Sequence, residues 1–430
     1  MSDLPTIGLL SSVAVFAAAA ALQGTARARR IAAELAAQPA TPPSLYPKIN
    51  REACICSGAC IDACPEREVI AIVAGRPQLV RASACVGHSD CLRSCPVSAI
   101  ELVLGTPERG VEVPVISSSF ETTVPGLYVA GELTGIGLIH NAVEQGKQAA
   151  RAALASAGAH GCDHDLLIVG AGPAGLGAAL EAKHRGARSV VLEKGEFGGA
   201  IKSYPRQKIV MSAPFELPGI GKLRLRRTSK EALLELFAEV ITRAQLEVVE
   251  RAEVTAITAT SGGFRVVTAA RTLTAHRVVL AIGRRGAPRR LGVPGDALAH
   301  VIYSLPDPAA YAGQRVAVVG GGDSAVEAAL ALAQQPGTKV TLVHRGADLG
   351  RCKPDNQRAL AQAVQRGALV LALATTIRKL TSDRLELAGP AGLTSIAASL
   401  VVCCLGAELP SRWLRSLGIQ LRELRGQPLC

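Results

Sequence analysis

The chain has 430 residues, room for two to four domains at roughly 100–200 residues each, and with 49% hydrophobic against 19% charged residues it can bury a large core. Aromatics make up only 3% and are not interleaved with the basic runs Lys222–Arg227 and Arg284–Arg290, so these runs read as solvated faces and linkers near a phosphate site, and no nucleic-acid partner is expected. The net charge of +12 suits other anions: nucleotide phosphates, an acidic protein partner or an anionic membrane face.

In chain order, Leu4–Leu22 is an uncharged stretch of 19 residues, about enough to cross a bilayer as a helix. Arg27, Arg29 and Arg30 follow it and only Asp3 precedes it. The positive-inside tendency then predicts a single N-terminal anchor over residues 1–35, with the bulk of the chain on the cytoplasmic side of the inner membrane. A cleaved signal peptide would want positive charge ahead of the apolar core. The stretch is alanine-rich and contains Pro5, so a peripheral or packing helix is the other reading. Gln38–Pro47 (QPATPPSLYP) reads as a stiff, proline-rich linker, placed at residues 36–47.

Seven of the 12 cysteines fall between Cys54 and Cys95, a pattern of a local metal site and not of an evenly loaded disulfide scaffold. The segments CICSGACIDACP (54–65) and CVGHSDCLRSCP (85–96) resemble the bacterial ferredoxin run C-x2-C-x2-C-x3-C-P. In that run three cysteines hold one cluster and the fourth reaches across to the other. Two copies 31 residues apart, with the apolar Val69–Val80 between them, predict a small α+β ferredoxin-like domain over residues 48–108. Neither copy is perfect: Ser57 stands at the second ligand position of the first, with Cys56 one residue early, and His88 stands there in the second. By the resemblance, one cluster takes Cys54, Cys60, Cys95 and either Cys56 or Ser57. The other takes Cys64, Cys85, Cys91 and, as an acceptable imidazole ligand, His88. One or two 4Fe–4S clusters are expected; a missing ligand would leave a three-iron cluster or none, and a degenerate fold holding zinc is the alternative.

Asp165–Gly175 (DLLIVGAGPAG) is an apolar run leading into Gly170-x-Gly172-x-x-Gly175, with Pro173 and Ala174 opening a helix. Ser189–Lys194 (SVVLEK) is a second strand ending at Glu193 and Lys194, and Gly199 follows. Glycines for a tight turn, a helix N-terminus for a pyrophosphate and an acid for ribose hydroxyls make up the dinucleotide pattern. A second copy opens at Arg315–Ala325 (RVAVVGGGDSA), with Gly320, Gly322, Asp323, Ser324 and Ala325 at the turn. Its next strand, VTLVHR, ends in His344 and Arg345 instead of an acid. An arginine there pairs with a 2′-phosphate, which favours NADPH over NADH, with Arg351 and Lys353 in support.

The stretches DLLIVGAGPAGLGAAL, VVLEKGEFGGAI, RVVLAIG, RVAVVGGGDSAVEAAL and VTLVHR resemble the pyridine nucleotide-disulfide oxidoreductase superfamily, most closely its thioredoxin-reductase-like branch, over about residues 163–420. The resemblance implies an α/β chain with two Rossmann-like, three-layer domains. One would bind FAD over residues 163–287 through Gly170, Gly172, Gly175 and Glu193. The other would bind NAD(P)H over 288–400 through Gly320, Gly322, Asp323, Ser324 and Arg345. Ala281–Gly283 would form the crossover, and 401–430 would return to the FAD domain.

This sequence departs from that branch twice. VIYSLPDPAAYAGQ, ahead of the second glycine motif, lacks the redox C-x-x-C. Cys403 and Cys404 lie in an apolar run read as a buried strand, Cys430 is a weak nucleophile candidate, and Cys162 and Cys352 have no assigned role. The closing flavin segment, normally at the end of the chain, stands at Thr122–Glu132 (TTVPGLYVAGE), before the first motif. A natural circular permutation is therefore expected, with residues 110–157 completing the FAD domain. Gly131 and Glu132 would serve the flavin ribityl, and a helix through Asn141 and Ala142 would point at the pyrimidine carbonyl. Fusion to this segment favours clusters close to the flavin.

The expected function is an NAD(P)H oxidoreductase passing electrons through flavin to the clusters and on to a carrier protein or membrane acceptor, or the reverse. A disulfide or low-molecular-weight thiol reductase and a membrane-tethered redox sensor are the alternatives. No acid–base residue is required for hydride transfer, so none is named. Relatives of this branch are commonly dimers, which implies a homodimer by analogy only.

Overall fold

The computed structural model describes residues 45–428, apart from 67–68, 109, 156–160, 213, 226 and 285–287. The expected anchor over residues 1–35, most of the linker and Cys430 lie outside the described residues. Among the described residues no helix is long and apolar enough to cross a membrane. The chain divides into two compact units, Met1–Leu102 and Val103–Cys430.

In the first unit, strand β1 (Tyr46–Ile49) precedes a short helix α1 (Ala59–Asp62). The antiparallel hairpin β2 (Ile70–Val73) and β3 (Arg76–Leu79) turns through Ala74 and Gly75, both left-handed at φ 50 and 75, as a two-residue turn matched to strand twist demands. Helix α2 (Asp90–Ser94) and strand β4 (Ile100–Leu104) follow, and β4 lies beside β1. Val69, Ile70 and Ile100 bury together with Cys60, Cys85 and Cys91. One boundary moves: Tyr46 and Pro47, read as linker, form the first strand, because Leu45 (3% exposed) and Tyr46 supply apolar surface that the module buries.

The second unit begins with β5 (Val111–Pro114), β6 (Leu127–Val129) and helix α3 (Ile139–Ala153). The first dinucleotide motif lies between β7 (His164–Val169) and α4 (Pro173–His184), followed by β8 (Ser189–Leu192). After helix α5 (Lys230–Arg243) come β9 (Val248–Val249), β10 (Val254–Thr260), β11 (Gly263–Thr268) and β12 (Thr272–Leu280). These make one sheet in the order β9-β8-β7-β12-β11-β10, and β6 joins it parallel to β12 with Leu127 opposite Val278 and Val129 opposite Leu280. Leu166, Leu167 and Ile168 are fully buried, which explains why β7 is apolar without alternation: a parallel strand covered on both faces. Each such side chain contributes about 1.5–3 kcal/mol of burial.

A second, all-parallel sheet follows. It contains β13 (Val301–Ile302), β14 (Arg315–Val319), β15 (Lys339–Val343), β16 (Leu369–Ala372) and β17 (Leu400–Cys403), in the order β13-β17-β14-β15-β16. Helices α6 (Asp323–Ala333) and α7 (Pro354–Gln365) belong to it. Because β17 lies inside this sheet, the return to the first one starts after Cys403 and not at residue 401. Helix α8 (Ser411–Ser416) then packs Trp413 and Leu414 into the first sheet's core, and β18 (Leu421–Leu424) pairs antiparallel with β5.

Small residues let α3 and α4 touch. A Cβ on Gly146 would lie 1.9 Å from the Ala174 carbonyl, and one on Gly177 would lie 2.4 Å from that of Val143. The segment carrying β6 and α3 is thus built into the core around the first glycine motif.

Candidate functional site

In the first unit the cysteines ring two cavities. Cys54, Cys56, Ser57, Cys60 and Cys95 line one, open to solvent, and Cys64, Cys85, His88 and Cys91 line another together with Glu66 and Asp90. Each cavity draws one cysteine from the other run: Cys95 in the first, Cys64 in the second. The Cys56 N–H donates to Cys54 Sγ at 3.4 Å and the Ala99 N–H to Cys95 Sγ at 3.2 Å. Burial pushes the Cys60 and Cys64 thiols up, and burial followed by neighbouring groups carries Cys85 and Cys91 to about 11. Buried thiols of this kind ionise when iron takes them as ligands. Among the described residues no three such side chains converge as they would on a single metal ion; spread around a pocket, the donors suit the larger 4Fe–4S group, which is held at its corners.

In the second unit the first glycine motif forms a tight turn. Gly170 adopts φ 104, and a Cβ on Gly175 would fall 1.8 Å from the Gly170 carbonyl. Gly172 caps α4 without any side-chain bond, and Pro173 occupies the first turn. Helix α5 shows the contrast: Ser229 Oγ accepts the Ala232 N–H at 3.1 Å. The α4 N-terminus has no such side-chain cap, which leaves N–H groups there for a phosphate. Gly199 approaches so closely that a Cβ on it would lie 3.0 Å from Gly172 Cα. Glu193 accepts the Ala171 N–H at 2.7 Å and the Gly195 N–H at 2.9 Å, tying the glycine turn to the loop after β8. Lys194 differs from the expectation of a cofactor contact: its ammonium pairs with Glu253 at 2.8 Å and the side chain is 65% exposed.

The segment carrying β6 and α3 lies against this turn. A Cβ on Gly131 (φ 77) would meet that of Ala174 at 2.9 Å. Gln145 Oε1 accepts the Gly131 N–H at 2.9 Å and the Thr134 hydroxyl at 3.1 Å. Glu132 faces the crossover, with its Oε2 3.7 Å from where a Cβ on Gly283 would stand. Ala281 donates its N–H to Val169 at 2.8 Å, continuing the sheet. Asn141 and the buried Ala142 lie in the first turn of α3, whose N-terminus also lacks a side-chain cap.

Arg284, read from sequence as part of a solvated basic run, is the main correction. Its guanidinium is buried, donates to the Glu112 carbonyl and keeps Nε without a protein partner. Burial lowers its pKa while Glu132 and Glu112 oppose that shift. An orphaned donor beside Glu132 and the uncapped helices fits an anionic, polar cofactor. The missed signal was position: Arg284 directly follows the crossover Ala281–Gly283.

At the second motif Gly320 adopts φ 151, and a Cβ there would lie 2.5 Å from the Cys404 carbonyl. Gly322 has open space around it and caps α6 without a side-chain bond. Ser324 is exposed, while Ala325 is fully buried inside the helix. The Asp323 carboxylate accepts the Lys353 N–H at 2.8 Å and Asn356 Nδ2 at 2.7 Å, so it ties the next loop to the turn. The His344 ring overhangs Gly321, where a Cβ would approach its Cε1 to 2.0 Å. Burial, then Arg345, lowers the His344 pKa, which keeps this ring neutral at pH 7. Arg345 and Arg351 are exposed beside it.

A family model described as pyridine nucleotide-disulphide oxidoreductase matches residues 167–429. The chain belongs to this family. A second model, 4Fe-4S dicluster domain, matches residues 46–96. As a pyridine nucleotide-disulphide oxidoreductase, the chain is 32% identical to a ferredoxin–NADP reductase of Ignicoccus hospitalis over 60% of its own length and 82% of that protein. It is 28% identical to a bacilliredoxin reductase of Bacillus subtilis over 61% and 82%. Among solved structures it is similar to a bacillithiol disulfide reductase of Staphylococcus aureus, at 26% identity and TM-score 0.54, covering 60% of this chain and 80% of that one. The protein is an FAD-dependent NAD(P)H oxidoreductase with a 4Fe–4S domain, and its cofactors are FAD, a nicotinamide dinucleotide and iron–sulfur clusters.

Proposed function

We propose that this oxidoreductase carries electrons from NADPH through flavin to the iron–sulfur module and on to a carrier protein or membrane acceptor, or runs the same path in reverse. FAD, when bound, takes up a hydride and gives back single electrons, the conversion that joins a nicotinamide to iron–sulfur clusters. The observation that carries this reading is the fusion itself. The module with two cysteine-ringed cavities runs directly in the chain into β5, β6 and α3, which line the flavin turn.

A circular permutation accounts for that fusion. Strand β18 pairs antiparallel with β5 from Leu421 opposite Pro114 to Leu424 opposite Val111. A hairpin turn from Leu424 to Val111 would restore the family order, with the closing segment after the second dinucleotide domain. An anchor through Leu4–Leu22 would add attachment to the cytoplasmic face of the inner membrane, and fractionation of cells with and without residues 1–35 tests it.

The Bacillus and Staphylococcus relatives, named as reductases of bacilliredoxin and of bacillithiol disulfide, favour a second reading as a thiol reductase. Against it, Cys352 and Cys403 are buried and pushed by that burial to about 12, a poor state for a nucleophile. Anaerobic titration with NADPH, followed by optical and spin-resonance spectroscopy, separates the two. Flavin bleaching and then a reduced-cluster signal are expected. Bleaching with no cluster signal, even with a stronger reductant, would sink the electron-transfer reading. NADPH-dependent disulfide reduction that dies in Cys430→Ser would support the second.

A further inference from the structure

The two halves of the iron–sulfur module use one and the same loop. In the first, Cys56 (φ 57) and Gly58 (φ 77) bracket Ser57; in the second, Gly87 (φ 77) and Ser89 (φ 73) bracket His88. Each bracketed residue stands three positions after the first cysteine of its run and three before the next aligned one: Cys54 and Cys60, Cys85 and Cys91. A left-handed backbone costs a non-glycine residue about 1–2 kcal/mol, yet Cys56 and Ser89 both accept it. The backbone therefore equates Ser57 with His88, and Cys56 with Gly87. Glycine is required at 87, where a Cβ would lie 2.8 Å from the Leu45 carbonyl. The loop of the second half thus turns tightly on both sides of a histidine.

That histidine lines the second cavity with Cys64, Cys85 and Cys91. Its side chain is 16% exposed, and Nε2 stands 3.8 Å from Glu66 Oε1, an ion-pairing separation. A metal-bound imidazole commonly keeps its second nitrogen for a carboxylate that orients the ring. We propose that His88 is the fourth ligand of the cluster in the second cavity. The inference rests on the reading that the module carries clusters. A neutral imidazole in place of a thiolate removes one negative charge, so this cluster accepts an electron more readily than an all-cysteine one.

The test uses the full chain loaded anaerobically with iron and sulfide, assayed for both, reduced, and examined by pulsed electron spin resonance. A nitrogen hyperfine coupling is expected that changes when the histidines carry nitrogen-15. It should vanish in His88→Ala and His88→Cys and persist in Ser57→Ala. His88→Cys, which keeps four ligands, should also lower the midpoint potential of one cluster. Full iron and sulfide without the coupling, or a coupling retained in His88→Cys, overturns the ligand assignment alone. A chain that takes up no iron and sulfide overturns the cluster reading and this assignment with it.

Discussion

At Arg345 the acid of the dinucleotide pattern is replaced by a cation at the end of the second nucleotide strand, exposed beside His344. A charged hydrogen bond to a 2′-phosphate contributes about 1.5–3 kcal/mol. Arg345→Ala should therefore lower kcat/KM for NADPH by roughly 10- to 100-fold and leave that for NADH nearly unchanged; equal losses for both would remove Arg345 from the phosphate site. Cys352 and Cys403, with thiols held at about 12, should resist iodoacetamide in the folded protein at neutral pH, as read by mass spectrometry, and react only on unfolding. The glycines of both turns were legible because a Cβ at 170, 175 or 320 would strike backbone, and only residue identity is needed to see that. Arg284 was not legible. Composition assigns an arginine in RRGAPRR to solvent, and only the pairing with the Glu112 carbonyl shows that one member of the run turns inward.

At the scale of elements, the join between α3 and α4 is the most sensitive contact. Gly146→Ala would drive a methyl group into the Ala174 carbonyl, so a loss of about 1–3 kcal/mol and weaker flavin retention are expected; wild-type stability and flavin content would show that the helices part freely. The same two helices share an ion pair. Glu181, its side chain 3% exposed, accepts Arg151 at 3.0 Å and Arg185 at 2.8 Å. Burial alone would raise its pKa, but the two arginines outweigh burial and hold it below the ordinary 4.5. A lowered carboxylate stabilises the fold above its unfolded pKa and loses that contribution as pH falls through the folded value. Glu181→Gln should cost about 1 kcal/mol at pH 7, at the low end because both arginines are largely exposed, and the gap in urea midpoint should close below the 4.5 range. Strand and helix types around both motifs were readable from apolar runs. The place of β17 was not: the run SLVVC identifies a buried strand but does not say which of the two sheets takes it.

For the whole molecule, the order of segments is the feature to test. A rearranged chain running 163–424, an Asn-Gly turn and then 111–155 should fold, bind flavin and carry no iron; flavin-free aggregate would count against the permutation. The motif TTVPGLYVAGE suggests the proposed rearrangement through the resemblance, whereas the β5–β18 pairing involves residues too far apart for any local pattern. That distance bears on how the chain is made. Thr123 donates to the Gly418 carbonyl across 295 residues, and Glu112 receives Ser411 and Arg415 across a similar gap. Contacts of such separation form slowly and late. During synthesis at about 5–20 residues per second, the first sheet waits with an unpaired β5 and an uncovered core until α8 and β18 emerge. Strand β1, the β2–β3 hairpin and helices α1 and α2 lie within residues 46–94 and emerge long before, although β4 later gains a partner at Gln427–Pro428. The cysteine runs thus leave the ribosome while the first sheet of the flavin unit is still open.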